Sequence, residues 1–79
     1  MNIKVIGSHS ANRMKLIKNV NKALKEHDFS VILEVIDDEE TLSNYLDKNT
    51  PILIINNKII STGKILEPRE IKKYIEVMK

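Results

Sequence analysis

Between positions 8 and 13 the chain gathers its densest set of side chains that could do chemistry: Ser8, His9, Ser10, Asn12 and Arg13. They offer two hydroxyls, an imidazole, an amide and a guanidinium. Such a set suits the holding of an anion or a peptide carbonyl through donated hydrogen bonds. Acyl transfer would need more. His9 and Ser10 are adjacent, but no acid is placed by the sequence to orient the imidazole, and two neighbours do not make a triad. The chain has no cysteine, so it cannot carry out thiol–disulfide exchange, which requires a thiolate to attack and a second sulfur to resolve the intermediate. Metal chemistry has equally little to stand on. His9 and His27 lack ligand spacing, and Asp37-Asp38-Glu39-Glu40 lacks the calcium-loop pattern. Met1, Met14 and Met78 are scattered, and Gly7 and Gly63 are too isolated to form a phosphate-cradling loop.

The group at 8–13 must be positioned by the elements around it. Residues 2–6 (Asn-Ile-Lys-Val-Ile) alternate and stop at Gly7, as a first strand ending in a turn would. From about 10 to 27 the period becomes helical, with Leu16, Ile17, Val20, Ala23 and Leu24 on one face and Lys15, Lys18, Lys22 and Lys25 on the other. Ser10 is in place to cap this helix. Phe29 to Ile36 is rich in β-branched residues and reads as a second strand.

Asp37 to Asp47 reads as a short helix with Leu42, Tyr45 and Leu46 as its apolar face. Asp37 or Asp38 can cap it, Glu40 completing a capping box if the cap is Asp37. After Asn49-Thr50-Pro51 comes Ile52-Leu53-Ile54-Ile55, apolar throughout and so expected to be covered on both faces. Asn56-Asn57 fits a tight hairpin turn, and Lys58 to Thr62 is the returning strand, ended by Gly63. Pro68 suits a first helical position, followed by an apolar stripe of Ile71, Tyr74, Ile75 and Met78.

Composition bounds what these elements can be. Seventy-nine residues, 42% hydrophobic and 30% charged, make a single domain spanning 1–79 with a thin core. The longest apolar run, Ile52–Ile55, is too short to insert in a bilayer, and the first residues lack the pattern of a signal peptide. Without disulfides to staple a small fold, a cytoplasmic location is the default. A net charge of +2 does not itself imply nucleic acid, and the only aromatics, Phe29, Tyr45 and Tyr74, fall at core or core-edge positions rather than between the lysines. We therefore expect no nucleic-acid partner, and read the lysine face as a solvated one.

The order β-α-β-α-β-β-α, filled by these residues, resembles the small thioredoxin-like proteins sometimes called redox-active disulfide proteins. The resemblance runs over essentially the whole chain. It is most specific in Thr50-Pro51-Ile-Leu-Ile-Ile-Asn56-Asn57, Ser61-Thr62-Gly63-Lys64 and Glu70-Ile71-Lys72-Lys73. It implies an α/β fold with a four-stranded mixed sheet of order 2-1-3-4 and helices on both faces. It also implies a cis peptide at Thr50-Pro51. In that family a C-x-x-C motif opens the first helix; here the corresponding residues are Ser10-Ala11-Asn12-Arg13. A serine hydroxyl there stays protonated where a thiol would ionise, and Arg13 brings no sulfur.

What the resemblance leaves is a groove made by Ser8, His9, Ser10, Asn12, Arg13, Thr50 and Pro51, with Ser61–Gly63 at its edge. The expected function is a redox-inactive module binding a peptide, a protein or a small anion, with no cofactor. The plainer alternative has Ser10 as a helix cap, His9 as a solvated loop residue and Arg13 as filler. Two other classes stand beside it: a non-thiol enzyme of glutathione-binding type working at the helix N-terminus, and a structural or dimerising domain.

Overall fold

A computed structural model describes residues 1–25 and 31–78. Seven elements follow one another: β1 (Asn2–Ile6), α1 (Ala11–Leu24), β2 (Ile32–Ile36), α2 (Glu39–Ser43), β3 (Ile52–Ile55), β4 (Lys58–Thr62) and α3 (Pro68–Met78). The four strands form one mixed sheet of order β2-β1-β3-β4. β1 runs parallel to β2, from Asn2 opposite Ile32 to Ile6 opposite Ile36, and antiparallel to β3, with Ile3 opposite Ile55 and Ile6 opposite Ile52. The fold is thus the α/β arrangement expected from the element order, with helices on both faces of the sheet.

The pleat explains how one short sheet serves two cores. Alternate residues point to opposite faces. Ile3, Val5, Leu53 and Ile55 meet Leu16, Val20 and Ala23 of α1 and Ile71 and Ile75 of α3. Ile6, Ile52 and Ile54 point the other way, where Leu42 and Tyr45 from the α2 region and Ile36 pack on them. β3 is buried at all four positions, which accounts for its unbroken apolar sequence.

Several boundaries differ from those the sequence suggests. α1 ends at Leu24 with Lys25 as its C-cap; the expected continuation to 27, the start of the second strand at Phe29 and the core placement of Phe29 lie outside the described residues. α2 is a helix only over Glu39–Ser43, with turns following to Asp47. Its cap is Asp38, whose carboxylate accepts from the Thr41 N–H at 2.9 Å. With Asp38 rather than Asp37 at the cap, Glu40 does not stand at the capping-box position. Leu46, expected on the apolar face, is 83% exposed, because it follows the helix and no longer keeps its phase. Tyr74 is likewise exposed while Ile71 and Ile75 are buried, so the buried stripe of α3 is narrower than expected.

Local chemistry holds the turns. Asn56 and Asn57 take φ of 49° and 67° in the two-residue β3–β4 turn, where asparagine tolerates the left-handed region. The Asn56 side chain accepts from the Asn2 N–H at 3.0 Å and donates to the Met78 carbonyl at 3.1 Å, tying the turn to β1 and the end of α3. The β3–β4 register shifts between Leu53 and Ile54, Leu53 facing Ser61 and Ile54 facing Ile59, so Ile60 is the extra residue of a bulge. Asn19 Nδ2 donates to the Leu66 carbonyl at 2.9 Å and joins α1 to the segment before α3.

Gly63 is required by its surroundings. Its φ is +66°, and a Cβ there would stand 2.7 Å from Asn49 Cβ. Its N–H donates to the Pro51 carbonyl at 3.0 Å. Gly63→Ala should therefore lower stability by about 1–3 kcal/mol, the sum of backbone strain and the clash. Adding Asn49→Gly should return the steric part but not the strain. A urea denaturation series measures both, and an unchanged midpoint for Gly63→Ala would show that this turn is not tight.

Candidate functional site

The expected site residues meet at one end of the sheet, where β1 hands over to α1. Ser10 has extended backbone (φ −161°, ψ 163°), and its Oγ accepts from the Arg13 N–H at 3.1 Å. The Met14 N–H then bonds the Ser10 carbonyl at 3.1 Å as the first helical turn. Capping thus engages one acceptor site of the hydroxyl and leaves its proton to donate elsewhere. Ser8, His9, Ser10 and Asn12 are all exposed around this terminus. The first turn of α1 contains no acidic side chain, so nothing within it offsets the positive end of the helix dipole.

Thr50 and Pro51 approach the same end of the sheet from the β3 side. The Thr50–Pro51 peptide is cis. A Cβ at Gly7 would lie 3.3 Å from Thr50 Cβ and 3.4 Å from Pro51 Cα, so the glycine permits this approach. Pro51 is buried and Thr50 exposed. The Thr50 N–H and C=O make no hydrogen bond among the described residues. Gly7 itself is anchored by its N–H to the Ile36 carbonyl at 3.0 Å. Ser61 is buried on β4 facing Leu53, and its Oγ has no partner among the described residues. Thr62 and Gly63 close the edge through the Ile52–Thr62 pairing and the Gly63–Pro51 bond.

Arg13 does not reach outward. Its side chain is 12% exposed. Nη1 donates to the Gly7 carbonyl at 3.1 Å and meets Asp37 Oδ2 at 3.3 Å, while Nη2 lies 3.0 Å from His9 Nδ1. The guanidinium is a donor only, so in this contact His9 Nδ1 is the acceptor. Nε is buried and unpartnered among the described residues. Arg13 thus grips a carboxylate within the chain, and the fork fastens the β1–α1 loop to the end of β2. Asp37 was legible in the sequence only as a candidate cap; its pairing with a residue 24 positions earlier has no local signature. Among the described residues no cluster of three His, Asp or Glu side chains gathers.

Magnitudes rank these contacts. Asp37 is 61% exposed, and exposed ion pairs contribute roughly 0–1 kcal/mol. The bond from the mostly buried guanidinium to the Gly7 carbonyl matters more, since its loss strands a buried acceptor. Arg13→Ala should cost about 1–2 kcal/mol, whereas Asp37→Asn should cost no more than about 0.5 kcal/mol. The two denaturation midpoints decide it: equal losses would make the ion pair, not the carbonyl bond, the fastening.

Next to this pair, the backbone hydrogen bond from Thr41, followed by that residue's side chain, holds the Asp38 carboxyl below the ordinary carboxylate range. A depressed folded value stabilises the fold above the unfolded value of about 4, and that stabilisation fades as pH falls through the lower folded one. The Thr41 amide shift should therefore move toward its uncapped position in strong acid. In Asp38→Asn, which caps without titrating, it should stay still.

A family model described as a thioredoxin domain matches residues 1–76. No curated protein and no solved structure matches the chain significantly. Among the described residues no helix is long and apolar enough to cross a membrane. The match spans nearly the whole chain, the sheet order and both helical layers agree with it, and Ser10 and Arg13 stand where the resemblance places the sulfurs: the chain belongs to the thioredoxin-domain family, as a member with no cysteine.

Proposed function

We propose that the protein is a redox-inactive thioredoxin-domain module that binds an extended peptide segment of another protein in the groove between the α1 N-terminus and Thr50. The observation that carries this reading is Thr50: an exposed residue whose main-chain donor and acceptor are unused among the described residues, beside Gly7 at the end of β1. A peptide strand laid along it would gain main-chain hydrogen bonds, the most sequence-tolerant form of recognition. Ser8, the Ser10 hydroxyl proton and the amides of the first helical turn would take a carbonyl or a terminal carboxylate. His9 and Asn12 flank that position, and Arg13 holds the loop in shape rather than touching the ligand. Pro51 and Ser61–Gly63 form the wall. A cytoplasmic setting fits a small fold without disulfides. A small anion alone would use the helix terminus and leave Thr50 untouched.

The test is a titration of isotope-labelled protein with short extended peptides, each in free-acid and amidated form, followed by amide shifts. Perturbations should centre on Ser8–Arg13, Thr50 and Ser61–Gly63. Ser10→Gly, which costs a helix cap only a few tenths of a kcal/mol, should weaken binding while leaving the fold intact. Shifts produced by glutathione and by no peptide would favour an enzyme that stabilises a bound thiolate. No shift at millimolar peptide would remove the groove from consideration.

A further inference from the structure

α1 carries a second surface, away from the groove, with its own chemistry. Met14, Lys18, Asn21, Lys22 and Lys25 recur at helical spacing along its outer side, and with half-buried Ile17 they line an open groove of about 430 Å³. Met14, at one end, is 56% exposed. On the other flank of Lys22 a second concavity of about 370 Å³ lies between α1 and α3, lined by Lys22, Ala23, Pro68, Arg69 and Lys72. Among the described residues no acid lines either one. An expanse with cations on both flanks and a methionine at its end is more than a solvated lysine stripe.

We propose that this face docks an acidic amphipathic helix of a partner protein. Its carboxylates would lie against Lys18, Lys22 and Lys25, and one apolar side chain would seat on Met14 and Ile17. Charge complementarity selects the sign of the partner, and the apolar end selects its amphipathicity; methionine adapts its shape to what it meets. The dimensions select a helix. From Met14 to Lys25 the stripe rises roughly 17 Å at about 1.5 Å per residue, three turns of a partner lying alongside. A second copy is a poor occupant: Asp37 is paired with Arg13, Asp38 caps the five-residue α2, and α3 sets Glu70 and Glu76 among Arg69, Lys72 and Lys73, so it presents no acidic face. A nucleic acid is a poor one too. Among the described residues no aromatic lines either concavity to stack a base, and an apolar floor has nothing to offer a phosphate chain. The proposal is independent of the Thr50 groove and stands or falls separately.

The intact protein can be tested with three fluorescent probes. One is a designed helix with glutamates on one face and leucines on the other, the second a scrambled peptide of the same composition, and the third a single-stranded thymidine oligonucleotide. The designed helix should bind, with affinity falling as salt screens the contact, and the other two should bind roughly tenfold or more weakly. Lys18→Glu with Lys22→Glu should weaken the designed helix by roughly tenfold, and Met14→Ser by several-fold. Amide shifts on the unmutated protein supply a reading that no folding defect can confuse: they should centre on residues 14–25. The proposal is overturned if the scrambled peptide or the oligonucleotide binds as well as the designed helix. It is equally overturned if the charge reversal leaves binding unchanged, if the shifts centre elsewhere, or if the lysines prove to be occupied by self-association of the protein alone.

Discussion

β3 is a strand with nothing left over. Its four side chains are all buried, and its two backbone edges are taken by β1 and β4. A segment enclosed on four sides can carry no polar side chain without stranding it, and Ile-Leu-Ile-Ile meets that condition. Leu53 and Ile55 form the floor under α1 and α3, while Ile52 and Ile54 form the floor under α2. The two hydrophobic clusters share no residue; β3 is the wall they have in common. In a chain of 79 residues, where buried surface is scarce, that double use of four side chains is what lets three helices settle on a single small sheet.

The place of Thr50 and Pro51 follows from how β3 is entered. Thr50 and Pro51 lie against Gly7 because the strand they lead into is antiparallel to β1, so its start stands beside the end of β1. Gly63 fastens the same place from β4 through the Pro51 carbonyl. These contacts belong to the fold and would be needed whether or not any chemistry happened there. Serine at position 10 does the capping that the helix requires, since a small side-chain oxygen suffices. It does not do what a thiol would, since the helix dipole cannot bring so weak an acid to ionise near neutral pH.

α1 thereby has three different faces. Leu16, Val20 and Ala23 point into the core. Arg13, one turn in, bends back to hold Gly7, His9 and the end of β2, so its charge is matched inside the chain. Lys18, Lys22 and Lys25 face outward around a floor that is partly apolar. The cationic residue nearest the helix terminus is thus the one least available to a ligand, and those farther along are open. Charge counted along the sequence does not separate these roles. Burial and partner do.

Much of the fold was legible in the residues, because hydrophobic period and turn chemistry are local. The order of the elements, the two-sided burial of β3, the paired asparagines at the hairpin, Pro68 at the start of α3 and Ser10 as a cap can each be read within a few neighbouring positions. The helix that the pattern predicts over Asp37–Asp47 is shorter in the structure, Glu39–Ser43, for the same reason. Its apolar spacing continues past Ser43, but the helix does not, so Tyr45 still packs on the sheet while Leu46 loses the phase and is exposed. The candidate site divides along the same line. Residue type alone established that the chain brings no thiol of its own and that hydroxyls and an arginine stand at the helix start. The tertiary structure alone decided that Arg13 turns inward to Gly7 and Asp37, that the Thr50 main chain has no partner among the described residues, and that Gly63 is pinned between Asn49 and Pro51. Each of those depends on segments far apart in the chain being brought within a few ångströms, and no short stretch of sequence encodes such a meeting.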